Sequence, residues 1–306
     1  MEKVLKIRAS GKINLYLNVS KNTRSDGYHE IKSIMQSIGL SDELTFKVSD
    51  NGDIIDSTNL NGIYITSDAI NIPLDEKNHV HKAAAVILDE YKLRGKYKID
   101  INIKKNIPVC AGLAGGSSNA AATLIALNEI FELNIRESRL HRLAALVGSD
   151  VPFCLNGGTV LAEGRGEKLS QLPDLPFYWL VLITDGKKLH TKDIYEMFDL
   201  VGREERPNHR ELVKNIREGK FDLFFENIDN DLEKVVVTED NKVSLFKDKA
   251  MDLGAFASQM TGSGPTVFAF CSDLISARKV HQGMEPIAER VFLTHTSPNS
   301  MVMLDQ

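Results

Sequence analysis

Eleven consecutive residues, Pro108-Val109-Cys110-Ala111-Gly112-Leu113-Ala114-Gly115-Gly116-Ser117-Ser118, bring together three glycines, small side chains and two hydroxyls. Glycine lets backbone approach a ligand closely and take positive φ. Ala120, Leu124, Leu127 and Phe131 follow at helical spacing, so the loop feeds a helix,. A helix start offers unpaired N–H groups and the positive end of the helix dipole, an anion site suited to a polyphosphate. Gly115 and Gly116 are placed to let backbone N–H groups reach such phosphates, and Ser117 and Ser118 add hydroxyl donors at the first turn. The stretch contains no GxxxxGK[ST], and its spacing is not that of GxGxxG,. The plain alternative is a glycine turn that only caps a helix.

Other candidates are weaker by residue type alone. Lys12 opens an alternating segment, and Asp150 follows a helical stretch in Val-Gly-Ser-Asp-Val-Pro. Most lysines and aspartates are solvated, and an aspartate there would serve equally to cap a turn. Tyr28-His29 follows an Asp26-Gly27 turn; Thr191 and Tyr195 lie four apart, on one face of a helix,. Aromatic rings can stack on a nucleobase while a histidine reads its edge, although core packing explains Tyr195 as well. Gly262-Ser263-Gly264 lies between two short apolar segments, a pattern that a tight hairpin also explains,.

The elements that must position these residues follow from periodicity. Residues 4–9 and 13–19 read as strands, the second with Asn14 and Asn18 on the face opposite the core,. Residues 20–30 read as a loop, 43–48 as a strand, 79–93 as a helix and 99–103 as a strand. Ser138 is placed to cap a helix ending near Val147, a strand–turn–strand covers 152–162, and 177–183 is a buried strand. Two prolines in 171–176 mark a domain boundary, dividing the chain into 1–172 and 173–306,. Strands at 256–260 and 266–271 lie among helical stretches without a βαβα alternation, so the class is α+β,.

The segment PVCAGLAGGSSNAAATL resembles the central glycine loop of the GHMP kinases, and in particular of their diphosphocytidyl-methylerythritol kinase branch. KINLYLNV…RSDGYHEI and MTGSGPTVFAF resemble that branch's first and third motifs in the same order, with weaker agreement at 148–167 and at NDLE, 230–233. The likeness spans about residues 8–270, leaving 50–75 and 200–220 unmatched. It implies a two-domain α+β kinase with its active site in the interdomain cleft. The implied reaction is ATP-dependent phosphorylation of the C2 hydroxyl of 4-diphosphocytidyl-2-C-methyl-D-erythritol, a step of the non-mevalonate route to isoprenoid precursors. It implies Asp150 as general base and Lys12 as its catalytic partner, ATP bound by Lys105 and the eleven residues Pro108 to Ser118, and Mg²⁺ on the ATP phosphates without an assigned protein ligand. The acceptor would be bound by Asn14, Tyr28, His29, Asp150, Thr191 and Tyr195, with Tyr28 and Tyr195 sandwiching the cytosine. Gly262, Ser263 and Gly264 would close over the site. Ser10-Gly11 replaces the usual Pro-Ala and is expected to loosen the approach to Lys12. The rival readings are another GHMP kinase, for homoserine or a mevalonate derivative, and a ligand sensor on the same fold.

Bulk properties restrict the rest. The 306 residues are 42% hydrophobic and 26% charged, enough for a sizeable core,. A net charge of −5 with scattered Lys and Arg argues against a nucleic-acid partner,. Cys110, Cys154 and Cys271 form neither CxxC nor a Cys/His metal spacing,. The charged N-terminus and the short apolar runs suggest no signal peptide or membrane span. The expectation is a cytoplasmic monomer or homodimer acting on small molecules.

Overall fold

Alternating apolar residues build two long strands in place of several short ones. β1 (Glu2–Thr23) and β2 (His29–Asp50) pair antiparallel over most of their length. The structure, a computed structural model, describes residues 2–25, 27–50, 62–186, 189–201, 208–239 and 242–304; Asp26 of the expected turn therefore lies outside the described residues. The stretches 4–9 and 13–19 belong to one strand because the pairing slips at Ser10/Lys12 and again at Asn14/Tyr16 without breaking the ladder,. The looseness expected at Ser10-Gly11 is corrected as well. Both residues are buried. The Ser10 N–H donates to the Ser300 carbonyl at 2.8 Å and the Lys12 N–H to the Leu113 carbonyl at 3.1 Å. A Cβ on Gly11 would stand 3.2 Å from the same Leu113 oxygen, so glycine is there to let the central loop press on the strand. Asn14 does not sit on an open face either: it is 2% exposed, because β1 is covered on both sides.

β3 (Ile63–Ser67) runs parallel to β4 (Tyr97–Lys104), which pairs with β2. Between them, α1 (His79–Glu90) starts at Asn78, whose side chain accepts from the Val80 N–H,. α2 (Gly115–Ile130) and α3 (Glu137–Val147) follow the glycine loop. Val80, Ala84 and Ile87 of α1 and Ala121, Leu124 and Leu127 of α2 pack with Phe46, Ile99 and Ile101 in one buried cluster. Each large apolar side chain buried this way contributes roughly 1.5–3 kcal/mol, which fixes the helix that carries the loop. Ser138 is not the cap of α3. Arg136 holds that position, because Asn134 at φ 49° and an Ile135 N–H donating to Asn128 Oδ1 turn the chain earlier.

The strand–turn–strand expected over 152–162 is a helix and then a strand. α4 (Val151–Asn156) has Pro152 in its first turn, and β5 (Thr159–Gly164) follows Gly157-Gly158. A short apolar run has no readable period, and proline suits a helix start. β5 pairs with β2 and with β6 (Lys168–Gln171). Both prolines of 171–176 lie in the connection to β7 (Trp179–Thr184).

Then come α5 (Thr191–Val201), α6 (His209–Arg217), α7 (Phe221–Phe225), β8 (Asp229–Asn230), α8 (Glu233–Glu239) and α9 (Lys242–Asp252). They are followed by β9 (Ala257–Met260), β10 (Val267–Cys271), α10 (Leu274–Met284), β11 (Arg290–His295) and β12 (Met301–Leu304). A second, antiparallel sheet has the order β11-β7-β10-β9, while β8 and β12 return to β1 in the first. The first sheet thus takes strands from both sides of the expected boundary between 172 and 173. The arrangement is α+β. No helix among the described residues is long and apolar enough to cross a membrane.

Candidate active site

The central loop reverses direction through three left-handed residues, Cys110 (φ 57°), Gly112 (φ 73°) and Ala114 (φ 55°). Two of these are not glycine, a conformation that persists only where the surroundings hold it. Asp42 supplies much of that hold. Its carboxylate is fully buried; Oδ1 accepts from the backbone N–H groups of Asn106 and Ile107, both at 2.8 Å, and Oδ2 from Asn119 Nδ2 at 2.9 Å and from the Lys105 ammonium. Lys105, expected at the phosphates, is thus ion-paired to Asp42 beside the loop. A Cβ on Gly115 would lie 3.1 Å from the Lys105 Nζ and 3.0 Å from Ile107 Cγ2.

Ala114 occupies the cap position of α2 and its side chain makes no capping hydrogen bond. The first-turn N–H groups of α2 therefore have no side-chain cap from that residue,. Gly116 is exposed, and the buried His79 Nδ1, which has no hydrogen-bond partner, lies 3.6 Å from where a Gly116 Cβ would stand. Ser118 departs from expectation: its hydroxyl is buried and donates to the Ser10 carbonyl at 2.6 Å, tying α2 to β1. A groove of about 1200 Å³ borders this loop at Lys105, Pro108 and Val109 and is also lined by Asp68, Ile70 and Asn71.

Lys12 and Asp150, 138 positions apart, meet across β1 and the start of α4. Lys12 Nζ lies 3.6 Å from Asp150 Oδ2 and donates to Asn14 Oδ1 at 2.6 Å. Asp150 precedes α4 but makes no side-chain cap bond, and its side chain is partly exposed. Asn14 Nδ2 donates to Ser33 Oγ at 2.8 Å, and the Asn14 N–H donates to Thr261 Oγ1 at 2.9 Å. Burial pushes the Tyr195 phenol upward, helped by the charges of Asp150 and Asp231, so the hydroxyl stays protonated. Burial, with Asp150 adding to it, likewise raises the Cys154 thiol and leaves it unreactive,.

His29 is buried beside Tyr195, ring centroids 5.5 Å apart and tilted by 31°. Its Nδ1 is 2.9 Å from the Ser20 carbonyl and its Nε2 is 3.3 Å from Asp199. Tyr28 stands exposed in the turn before β2, with the Arg165 guanidinium 5.0 Å above its ring. Thr191 Oγ1 is 3.0 Å from Ser263 Oγ, joining α5 to the third glycine segment. That segment is the tip of the β9–β10 hairpin, and it also abuts the central loop: a Cβ on Gly112 would come within 2.5 Å of the Thr261 carbonyl. Asp42, Ser33, Arg165 and Asp199 escaped the sequence reading, and none of them carried a local signal; Thr261 was read only as part of the third glycine segment.

Residues 78–158 match the N-terminal domain of the GHMP kinases, and residues 212–286 match the C-terminal domain. The 4-diphosphocytidyl-2-C-methyl-D-erythritol kinase of Clostridium novyi is 38% identical over 289 residues, covering 94% of this chain and 99% of its own. The chain belongs to the GHMP kinases. Within that family it groups with the 4-diphosphocytidyl-2-C-methyl-D-erythritol kinases. A crystal structure of a 4-(cytidine 5'-diphospho)-2C-methyl-D-erythritol kinase superposes with a TM-score of 0.77 at 26% identity, over 97% of this chain and 99% of that one. The homoserine kinase from Cytophaga hutchinsonii shares the fold alone, with a TM-score of 0.72 at 20% identity over 98% and 97% of the two chains.

Proposed function

We propose that this GHMP kinase transfers the γ-phosphoryl group of ATP to the C2 hydroxyl of 4-diphosphocytidyl-2-C-methyl-D-erythritol, in the non-mevalonate route to isoprenoid precursors. The observation that carries the chemistry is the Lys12–Asp150 pair, held at 3.6 Å near the start of α2, where His79 lies beside Gly116 and feels the Asp150 charge. The near full-length likeness to the Clostridium novyi enzyme carries the choice of acceptor.

Asp150 is the base that accepts the hydroxyl proton once the acceptor lies within about 3 Å. The Lys12 ammonium stabilises the ionised carboxylate and the charge on the transferring group. The α2 N–H groups and the glycine loop cradle the phosphates, with the exposed Gly116 leaving room for their approach,. In phosphoryl transfer such positioning and charge stabilisation supply most of the catalysis. Mg²⁺ would come with the ATP phosphates and neutralise their charge. Tyr28, His29 and Tyr195 form the cytosine-reading wall, with Thr191 and Asn14 toward the polar part of the acceptor.

The test follows ADP release with the cytidine-linked alcohol, methylerythritol phosphate, homoserine and mevalonate in parallel. Turnover should be confined to the cytidine-linked alcohol, and Tyr28→Ala should raise the acceptor KM more than the ATP KM. Equal turnover of acceptors with and without cytidine defeats the acceptor assignment.

A further inference from the structure

The NDLE segment takes part in neither nucleotide nor acceptor binding as described above, yet its first two residues are buried polar groups between the two sheets: Asn230 is 0% and Asp231 3% exposed. β8 runs parallel to β1 at Tyr16–Asp229 and Leu17–Asn230. Asp231 fastens it further along. Its N–H donates to the Leu17 carbonyl at 2.9 Å, and its Oδ2 accepts from the Val19 N–H at 2.8 Å and from Asn18 Nδ2 at 3.1 Å. The Asn230 side chain faces the other way. Its Nδ2 donates to the Met260 carbonyl at 2.9 Å and to the Gly262 carbonyl at 2.8 Å, while its Oδ1 accepts from the Leu232 N–H at 3.0 Å. Both amide hydrogens and the oxygen are satisfied, so the amide has one orientation.

The two carbonyls gripped by Asn230 flank Thr261. The Thr261 hydroxyl accepts from the Asn14 N–H at 2.9 Å and lies 3.4 Å from Asn14 Oδ1, the oxygen that takes the Lys12 ammonium at 2.6 Å. The contacts close a ring: from Leu17 on β1 through Asn230 to the hairpin tip, through Thr261 to Asn14, and back along β1. We propose that Asn230 is a positioning residue for phosphoryl transfer: it locks the hairpin tip onto β1, so that Thr261 and Asn14 hold the Lys12 ammonium against Asp150. Buried polar networks of this kind fix one geometry when every member is satisfied. The inference rests on the reading of Lys12 and Asp150 as the catalytic pair.

The test measures steady-state kinetics and thermal melting for Asn230→Ala, Thr261→Val, Thr261→Ser, the Asn230→Ala/Thr261→Val double variant, and Asn230→Ala combined with Asp150→Asn. A displaced ammonium should lower kcat about tenfold or more in Asn230→Ala, with both KM values within about twofold of wild type. Thr261→Val should show the same loss, Thr261→Ser should recover most of it, and the double variant should be no worse than either single one. In the Asp150→Asn background the Asn230 change should have little further effect. A folded Asn230→Ala enzyme with normal kcat, a loss confined to KM, or losses that multiply in the double variant or on Asp150→Asn would overturn the proposal. Should Asn230→Ala fail to fold, Thr261→Val decides, and wild-type kcat there overturns it. Full turnover by Asp150→Asn alone would instead sink the catalytic reading of the pair.

Discussion

Asp42 holds the Lys105 ammonium, two backbone N–H groups and an Asn119 amide away from water. Removing it leaves a lysine that is 8% exposed without a counter-charge, together with unpaired loop donors. Breaking a buried pair from one side costs about 3–5 kcal/mol. Asp42→Ala should therefore lose stability on that scale in urea unfolding, and ATP binding should weaken as the loop relaxes. Asp150→Asn should behave in the opposite manner. It should keep ATP and acceptor affinity by calorimetry while kcat falls about 100-fold or more, the scale of a positioned base. Near-normal kcat would move the leading catalytic role to Lys12. Lys12 and Asp150 were legible only through motif likeness, since nothing local marks either. Asp42 was illegible because Ser-Asp-Glu beside a strand reads as surface. Its partners sit 63 to 77 positions away, and a single sequence carries no sign of that closure.

At the scale of elements, the start of α2 separates two glycines that look alike in sequence. Gly115 is packed against Ile107 and Lys105, whereas a Cβ on Gly116 meets nothing nearer than His79 Nδ1 at 3.6 Å. Gly116→Val should weaken nucleotide binding in a titration while the melting temperature holds. Gly115→Val should lower both, because its side chain must push the helix start off Ile107 and Lys105. Equal nucleotide affinity in wild type and a folded Gly116→Val enzyme would remove the phosphates from this helix start. The helix itself was legible from its apolar spacing, as were α1 and β4 from a clear period and β7 from its continuous apolar run. α4 was not, since Val-Pro-Phe-Cys-Leu has no period to read. The continuity of β1 was hidden by Ser10-Gly11, a pair that punctuates sequence but here makes room for Leu113.

Across the whole molecule, acid should loosen the nucleotide side first. Burial depresses His79 and His81, both on α1, below the ordinary histidine range, and the nearby Lys82 adds to the effect at His79. The unfolded chain then takes up protons more readily than the folded one, so stability present at neutral pH declines as pH falls below about 6.5. Melting between pH 7.5 and pH 5 should show that decline, and a His79→Gln/His81→Gln variant should flatten it. An unchanged slope would mean that neither histidine is protonated preferentially in the unfolded chain.

The pairing of β12 with β1, Leu304 opposite Lys6 and Met301 opposite Ala9, also bears on biosynthesis. The strand that carries Lys12 receives that outer neighbour only after nearly three hundred more residues have left the ribosome. Until then the Lys6–Ala9 stretch of β1 is an open edge, the circumstance in which nascent chains stick to one another,. A ribosome stalled before Met301 would hold a kinase whose α1–α2 layer has its sequence complete but whose first strand still lacks its neighbour at Lys6–Ala9. The time taken to reach β12 then bears on how long that edge is exposed to such pairing,.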